Sequence, residues 1–198
     1  MAETFKNQVD ALTGFASTED DALSDWLTSG AKEIINQLPP NLLKLCCSEQ
    51  TFTSAAVGSE AESIATGKIL AVFAGNYEAR KIPSNKKHQA NDSDLIQYAT
   101  STDPVYYIQN GKINVLPASL SCQYEEVQYP SITHGGGASG VANFPDEAEY
   151  LIVLYAAIKA VERLMLDEED QEVYAPQLLT LKQDYAQGLA ALKGGGQK

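Results

Sequence analysis

Histidine and cysteine are scarce in this chain, at two and three copies, and tryptophan occurs once. Two isolated histidines, His88 and His134, and an adjacent Cys46-Cys47 pair offer no zinc-ligand spacing. The cysteines are an odd and sparse set, and Cys46 and Cys47, at the end of the apolar run from Leu42, read as small buried hydrophobes. Basic residues are also few: 14 Lys and Arg against 26 Asp and Glu leave a net charge of −12. That balance argues against sequence-independent binding to nucleic acid, which needs cations to displace counterions from phosphate. It does suit a wall that repels a duplex without retaining it. No apolar run reaches the length of a membrane span, and the first residues lack a signal-peptide pattern. The expectation is a soluble protein made in the cytosol. Neither a P-loop nor a dinucleotide fingerprint occurs.

Two local motifs need weighing. His134-Gly135-Gly136-Gly137 matches a string that builds part of an oxyanion hole in some esterases. That chemistry also needs a G-x-S-x-G elbow, which is missing, and Gly137-Ala138-Ser139-Gly140 has the wrong spacing. A glycine-rich connector or docking loop is the better reading. The acidic knot Asp167-Glu168-Glu169-Asp170 lacks the glycine and ligand alternation of a calcium loop and reads as a solvated capping turn. No enzyme activity and no cofactor are expected.

What the chain does contain is helical patterning at both ends. At 198 residues with 44% hydrophobic content, it is one domain or one domain with a substantial insertion. Phe5, Val9 and Leu12 predict a short helix. A stronger one follows from about Asp20 to Gln37, with Leu23, Trp26 or Leu27, Ala31, Ile34, Ile35 and Leu38 on one side, stopped by Pro39-Pro40. In the C-terminal quarter Pro145 stands at a first helical position, with Asp146, Glu147 and Glu149 near the positive end of the dipole. Leu151, Leu154 or Tyr155, Ile158, Val161 and Met165 recur at helical spacing. Leu178, Leu181, Tyr185, Leu189 and Leu192 mark a second stripe. Two amphipathic helices joined by a polar turn make a hairpin that needs a partner surface.

Between the helical ends the character is β. Ile69–Phe73 and Tyr77–Ile82 read as strands, and Ser119–Tyr129 as another with Cys122, Tyr124 and Val127 packing. Val105–Gln109 and Lys112–Leu116 flank Asn110-Gly111, the pair a type I′ hairpin turn demands. Asp92 suits the cap of a short turn. The expected fold is α+β: a helical bundle formed by N- and C-terminal helices with an inserted antiparallel β module. The expected boundaries are 1–49 for the N-terminal helices, 50–133 for the β module and 134–143 for a Gly-rich loop. The C-terminal hairpin takes 144–193 and a Gly-rich tail 194–198.

Tyrosine is abundant at ten copies. Its β-region members either pack the rims of small sheets or form a protein-binding surface, where tyrosine is enriched.

The block from Phe144 to Met165, with the acidic turn and Leu178–Leu192 behind it, resembles head-to-tail connector, or neck adaptor, proteins of tailed bacteriophages. Asp103–Ala118 is similar to their hairpin pattern P-x-Y-x-x-x-[NDG]-G-x-I-x-V-x-P, here Pro104, Tyr106, Asn110, Gly111, Ile113, Val115 and Pro117. The early helix with Leu23-Ser24-Asp25-Trp26-Leu27 also looks like theirs. The resemblance implies a structural virion protein in the neck, a ring of about twelve copies that binds portal protein on one side and tail or fibre proteins on the other. DNA would be only a sliding passenger in its channel. Glycine-rich segments would order on docking. The candidate docking residues are His134, Gly135, Gly136 and Gly137, the tail residues Gly194, Gly195, Gly196 and Lys198, and the hairpin residues Tyr106 and Tyr107. The long β insertion departs from compact all-helical adaptors. The alternatives are another tail component (terminator, tube or fibre-docking protein) or a soluble binding module.

Overall fold

Thr4 opens the first helix: its hydroxyl accepts the Asn7 amide at 3.3 Å, and α1 runs Phe5–Thr13. Gly14, at φ 78°, closes it by donating its N–H to Asp10 C=O at 2.9 Å. The computed structural model describes residues 4–14, 20–57, 59, 62–134, 140–167 and 171–194. It divides into two compact units, one of Met1–Cys46 with Tyr129–Lys198 and one of Cys47–Gln128. The fold is α+β, with N- and C-terminal helices flanking a central β unit.

In the helical unit, α2 spans Asp20–Gln37 and a short α3, Pro40–Leu43, follows the Pro39 stop. The C-terminal hairpin is α5, Asp146–Asp167, and α6, Gln171–Gly194. The α5 helix is the hub, packed by α1, α2 and α6. It departs from the expected one-sided stripe. Leu151 to Leu154, Ala156 to Ile158, Ala160 and Val161 are all buried, so its middle is buried on most sides, with a half-buried strip of Tyr155, Lys159 and Glu162 left over. Burying each of its large aliphatic side chains contributes roughly 1.5–3 kcal/mol. Small residues set the spacing of its neighbours. Gly30 of α2 lies against the Tyr155 side chain, and Gly188 of α6 lies against Leu151. Around these contacts α6 is fastened by polar bonds. Gln177 donates to the Leu12 and Thr13 carbonyls at 2.8 and 3.2 Å, which satisfies the end of α1. Lys182 reaches Glu162 of α5 at 2.9 Å.

The second unit holds two four-stranded sheets. Its strands are β1 Cys47–Thr53, β2 Glu62–Ser63, β3 Ile69–Ala74, β4 Tyr77–Glu78, β5 Arg80–Lys81, β6 Val105–Gln109, β7 Lys112–Leu116 and β8 Ser121–Val127. A single-turn helix α4, Lys87–Ala90, lies between β5 and β6. One sheet has the order β1-β8-β3-β4 and the other β2-β7-β6-β5, all antiparallel except the β5–β6 pair. The hairpin forms as expected: Asn110 and Gly111 take φ 53° and 69° between β6 and β7. The unit begins at Cys47, so Cys46-Cys47 straddles the boundary, and β1 replaces the helical ending expected through residue 49. Cys46 is buried and Cys47 half-buried, and neither is in a disulfide.

Alternation explains the two cores of this unit. Tyr106 and Ile108 of β6, with Ile113 and Val115 of β7, meet Val72, Ala74, Cys122 and Tyr124 from the other sheet. Val105, Tyr107 and Leu116 point to the opposite face, against Ala90 and Ala99. Inside the first core Phe52 stands edge-on to Tyr124, ring centroids 5.7 Å apart.

Candidate functional site

The polar edge of α2 organises the candidate site nearest the glycine-rich connector. Ser24, Thr28 and Asn36 fall at multiples of four and so share one side of the helix. Segment 129–134 runs along them. The Tyr129 hydroxyl donates to Asn36 Oδ1 at 2.9 Å, and the Ile132 N–H donates to the Thr28 hydroxyl at 3.0 Å. The His134 N–H donates to Ser24 Oγ at 3.1 Å. Twelve helical residues rise about 18 Å, and five extended residues cover about 17 Å, so strap and helix stay in step. His134 thus marks where the strap is pinned, with its Nδ1 also 3.0 Å from Ser24 Oγ. Since one residue supplies both contacts to the hydroxyl, the pair is geometrically an anchor. The expected docking residues Gly135, Gly136 and Gly137 lie outside the described residues. Beyond them, Glu149 Oε1 accepts the Val141 N–H at 2.6 Å and holds the connector against the start of α5.

The other predicted docking residues divide. Gly194 is the last residue of α6 and not the first of a tail, and its neighbour Lys193 donates to Gln37 Oε1 at 2.9 Å. Gly195, Gly196 and Lys198 lie outside the described residues, as do Glu168 to Asp170 of the acidic knot. Tyr106 and Tyr107 need correction as docking residues: they are 7% and 2% exposed. Both faces of β6 are covered, so adjacent side chains are buried in opposite directions. Burial pushes both hydroxyls above the usual tyrosine range, and at Tyr106 the Glu78 carboxylate acts in the same direction.

Surface available to a partner lies elsewhere. In the helical unit Tyr150, Leu166, Val173 and Leu179 are exposed, and among the described residues of α6 it is Leu181 that is buried. In the β unit the turn after Asp92, whose carboxylate accepts the Asp94 N–H at 3.1 Å, carries exposed Leu95, Ile96 and Tyr98. Of these only Tyr98 was singled out from sequence, among the β-region tyrosines; on the helices, an apolar residue at helical spacing looks the same whether it faces core or solvent.

Electrostatics tie the hairpin to its neighbours. Burial alone would raise the Glu162 carboxyl, but hydrogen bonds from Lys159 and Lys182 outweigh it and hold the group below its usual range. Burial, then the nearby Glu33 carboxylate, push the Tyr185 hydroxyl well above its usual range, and that hydroxyl donates to Glu33 Oε1 at 3.3 Å. Among the described residues no group of three or more His, Cys, Asp or Glu side chains is placed to hold a metal ion. Comparison with protein-family models and with curated proteins returns no match to this sequence.

Proposed function

We propose that this chain is a structural virion protein of a tailed phage, an adaptor in the neck that joins portal to tail components as an oligomeric ring. One observation carries the reading beyond the sequence resemblance. The hairpin that bears the resemblance leaves Leu166, Val173 and Leu179 exposed on a protein of net charge −12. Apolar side chains on a strongly charged surface favour a lateral contact, because an unpartnered apolar patch invites association. A hub helix packed by α1, α2 and α6 supports repeated copies packed side by side. The acidic balance suits a channel through which DNA slides without sticking.

The test is a cryo-EM reconstruction of this protein mixed with the portal from the same genome. A collar of about twelve copies beneath the portal is the expected result. Free portal beside unattached monomer would refute the adaptor role. A second reading, another tail component, is favoured by the exposed Leu95-Ile96-Tyr98 turn on the β unit. Its mark would be attachment to isolated tails in a copy number other than that of the portal.

A further inference from the structure

The outer edge of β1 is an open template for a strand. Seven residues of β1 pair with β8 on one side, and β1 ends the sheet on the other. The hydrogen-bonding phase follows from its flanks. Ser54 N–H donates to Leu120 C=O at 2.9 Å, which continues the β1–β8 ladder through even-numbered residues. Gly75 N–H donates to Ser121 C=O and Val127 N–H to Lys68 C=O, so odd residues of β8 serve β3. Glu49, Thr51 and Thr53 therefore aim their own N–H and C=O groups away from the sheet. All three are exposed. Edges of this kind are normally blunted by lysine, proline, a bulge or shortness. β1 holds no Lys or Pro, the irregular register lies on the far side, at Ile69/Ala71 of β3, and its one charged side chain is Glu49.

Charge then selects the occupant. Glu49 stands directly opposite Glu125. With odd residues forming the non-hydrogen-bonded pairs, these carboxylates share the closer cross-strand spacing on the outer face, an arrangement that costs stability. Among the described residues no ion pair involves either. The Glu125 carboxylate adds to burial in raising the Cys47 thiol on the same face, a second sign of negative potential there. A second copy of β1 would bring no cation, only another Glu49. A basic side chain opposite Glu49 would turn a repulsive pair into an attractive trio.

We propose that the free edge of β1 takes an extended segment of a partner protein bearing Lys or Arg opposite Glu49, by strand addition. This does not rest on the adaptor reading. The test uses the 15N-labelled full chain titrated with two capped heptapeptides, Thr-Val-Thr-Lys-Thr-Val-Thr and its analogue with Glu in place of Lys. Backbone amide shifts at Glu49, Thr51 and Thr53 are expected with the Lys peptide, at about fivefold higher affinity than with the Glu peptide. Thr51→Pro removes an outward N–H while leaving the β8 ladder intact, so binding should vanish with the β8 amide resonances unmoved. Glu49→Gln should bring the two peptides close to parity. Equal affinities for the unmodified chain, or no shift at these amides, would overturn the proposal. Shifts at the same amides on raising protein concentration without peptide would assign the edge to a second copy and overturn it too.

Discussion

Replacing Gly30 by alanine sets two known effects against each other at one position. In a helix interior, alanine is favoured over glycine by roughly 1 kcal/mol, so on propensity alone the change stabilises α2. The new β carbon, however, would lie 2.9 Å from Tyr155 Cδ1, 3.0 Å from Cγ and 3.1 Å from Cβ. Carbon atoms prefer about 3.5–4.0 Å, so three contacts are short together. These atoms are the root of the side chain, which a rotamer change moves little without displacing the ring. That ring is also held, 6.1 Å from the Tyr185 ring and 5.7 Å from the Lys159 ammonium. The strain has to be relieved by moving α2 off α5, an overpacking cost of about 1–3 kcal/mol. The expected net effect is a loss of about 1 kcal/mol. Gly188→Ala is the control. It meets only the outer carbons of Leu151, chiefly Cδ2, a methyl at the far end of a flexible side chain, so cost and propensity gain should nearly cancel. Urea unfolding followed by far-UV circular dichroism, with slopes compared as well as midpoints, reads both. Tyr155→Ala, which removes the Cγ and Cδ1 contacts, should cost less in the Gly30→Ala background than in the parent. If Gly30→Ala matches or exceeds the parent in stability, the account of the α2–α5 contact is wrong.

Two further predictions use the polar interior. Glu126 is 2% exposed, and its Oε1 accepts from the Thr66 N–H at 2.6 Å and the Gly67 N–H at 3.3 Å, while the Thr66 hydroxyl has the Val127 C=O as its nearer acceptor at 2.8 Å. Glu126→Ala orphans those donors and should cost about 2–4 kcal/mol, with Glu126→Gln costing clearly less because one acceptor oxygen remains; equal midpoints in urea for the two variants would count against this. Tyr185 gives a pH dependence. Its hydroxyl ionises well above the usual range in the folded state, so the stability it contributes is intact below about pH 10 and falls as pH rises, because the unfolded chain loses that proton first. Tyr185→Phe should flatten the alkaline decline of helix stability between roughly pH 10 and 12, and an unchanged slope would show that Tyr185 is not its source.

Much of the framework was legible from the sequence because period and punctuation agree there. The α2 limits follow from an apolar stripe that Pro39-Pro40 cuts off, and the β6–β7 turn from Asn110-Gly111, residues suited to the positive φ both adopt. Strand β1 escaped because it lies at an edge. With Phe52 its one large apolar residue, it shows no alternation, and Leu42 to Cys46 before it read as a continuing helix. The burial of α5 on most of its circumference was hidden by its alanines, which satisfy a stripe and fill the opposite face equally well.

The candidate site was less legible, for a reason visible in two stretches. In Ser121–Val127 alternation sends Cys122, Tyr124 and residue 126 inward, yet 126 is a glutamate; composition places it in solvent, while the Thr66–Gly67 turn supplies the donors that let it stay buried. In β6 the same conflict runs the other way. Tyrosine pairs at a hairpin suggest a binding surface, but Tyr107 is covered by a layer around α4 that no local pattern announces. A side chain's neighbours in space, not its own type, decide whether it is core or contact. The surfaces proposed for assembly, the outer face of α6 and the open edge of β1, are therefore the ones whose residues would pass unnoticed in a motif search. Substitutions there, not at the tyrosines, are where an assembly defect without a folding defect should appear.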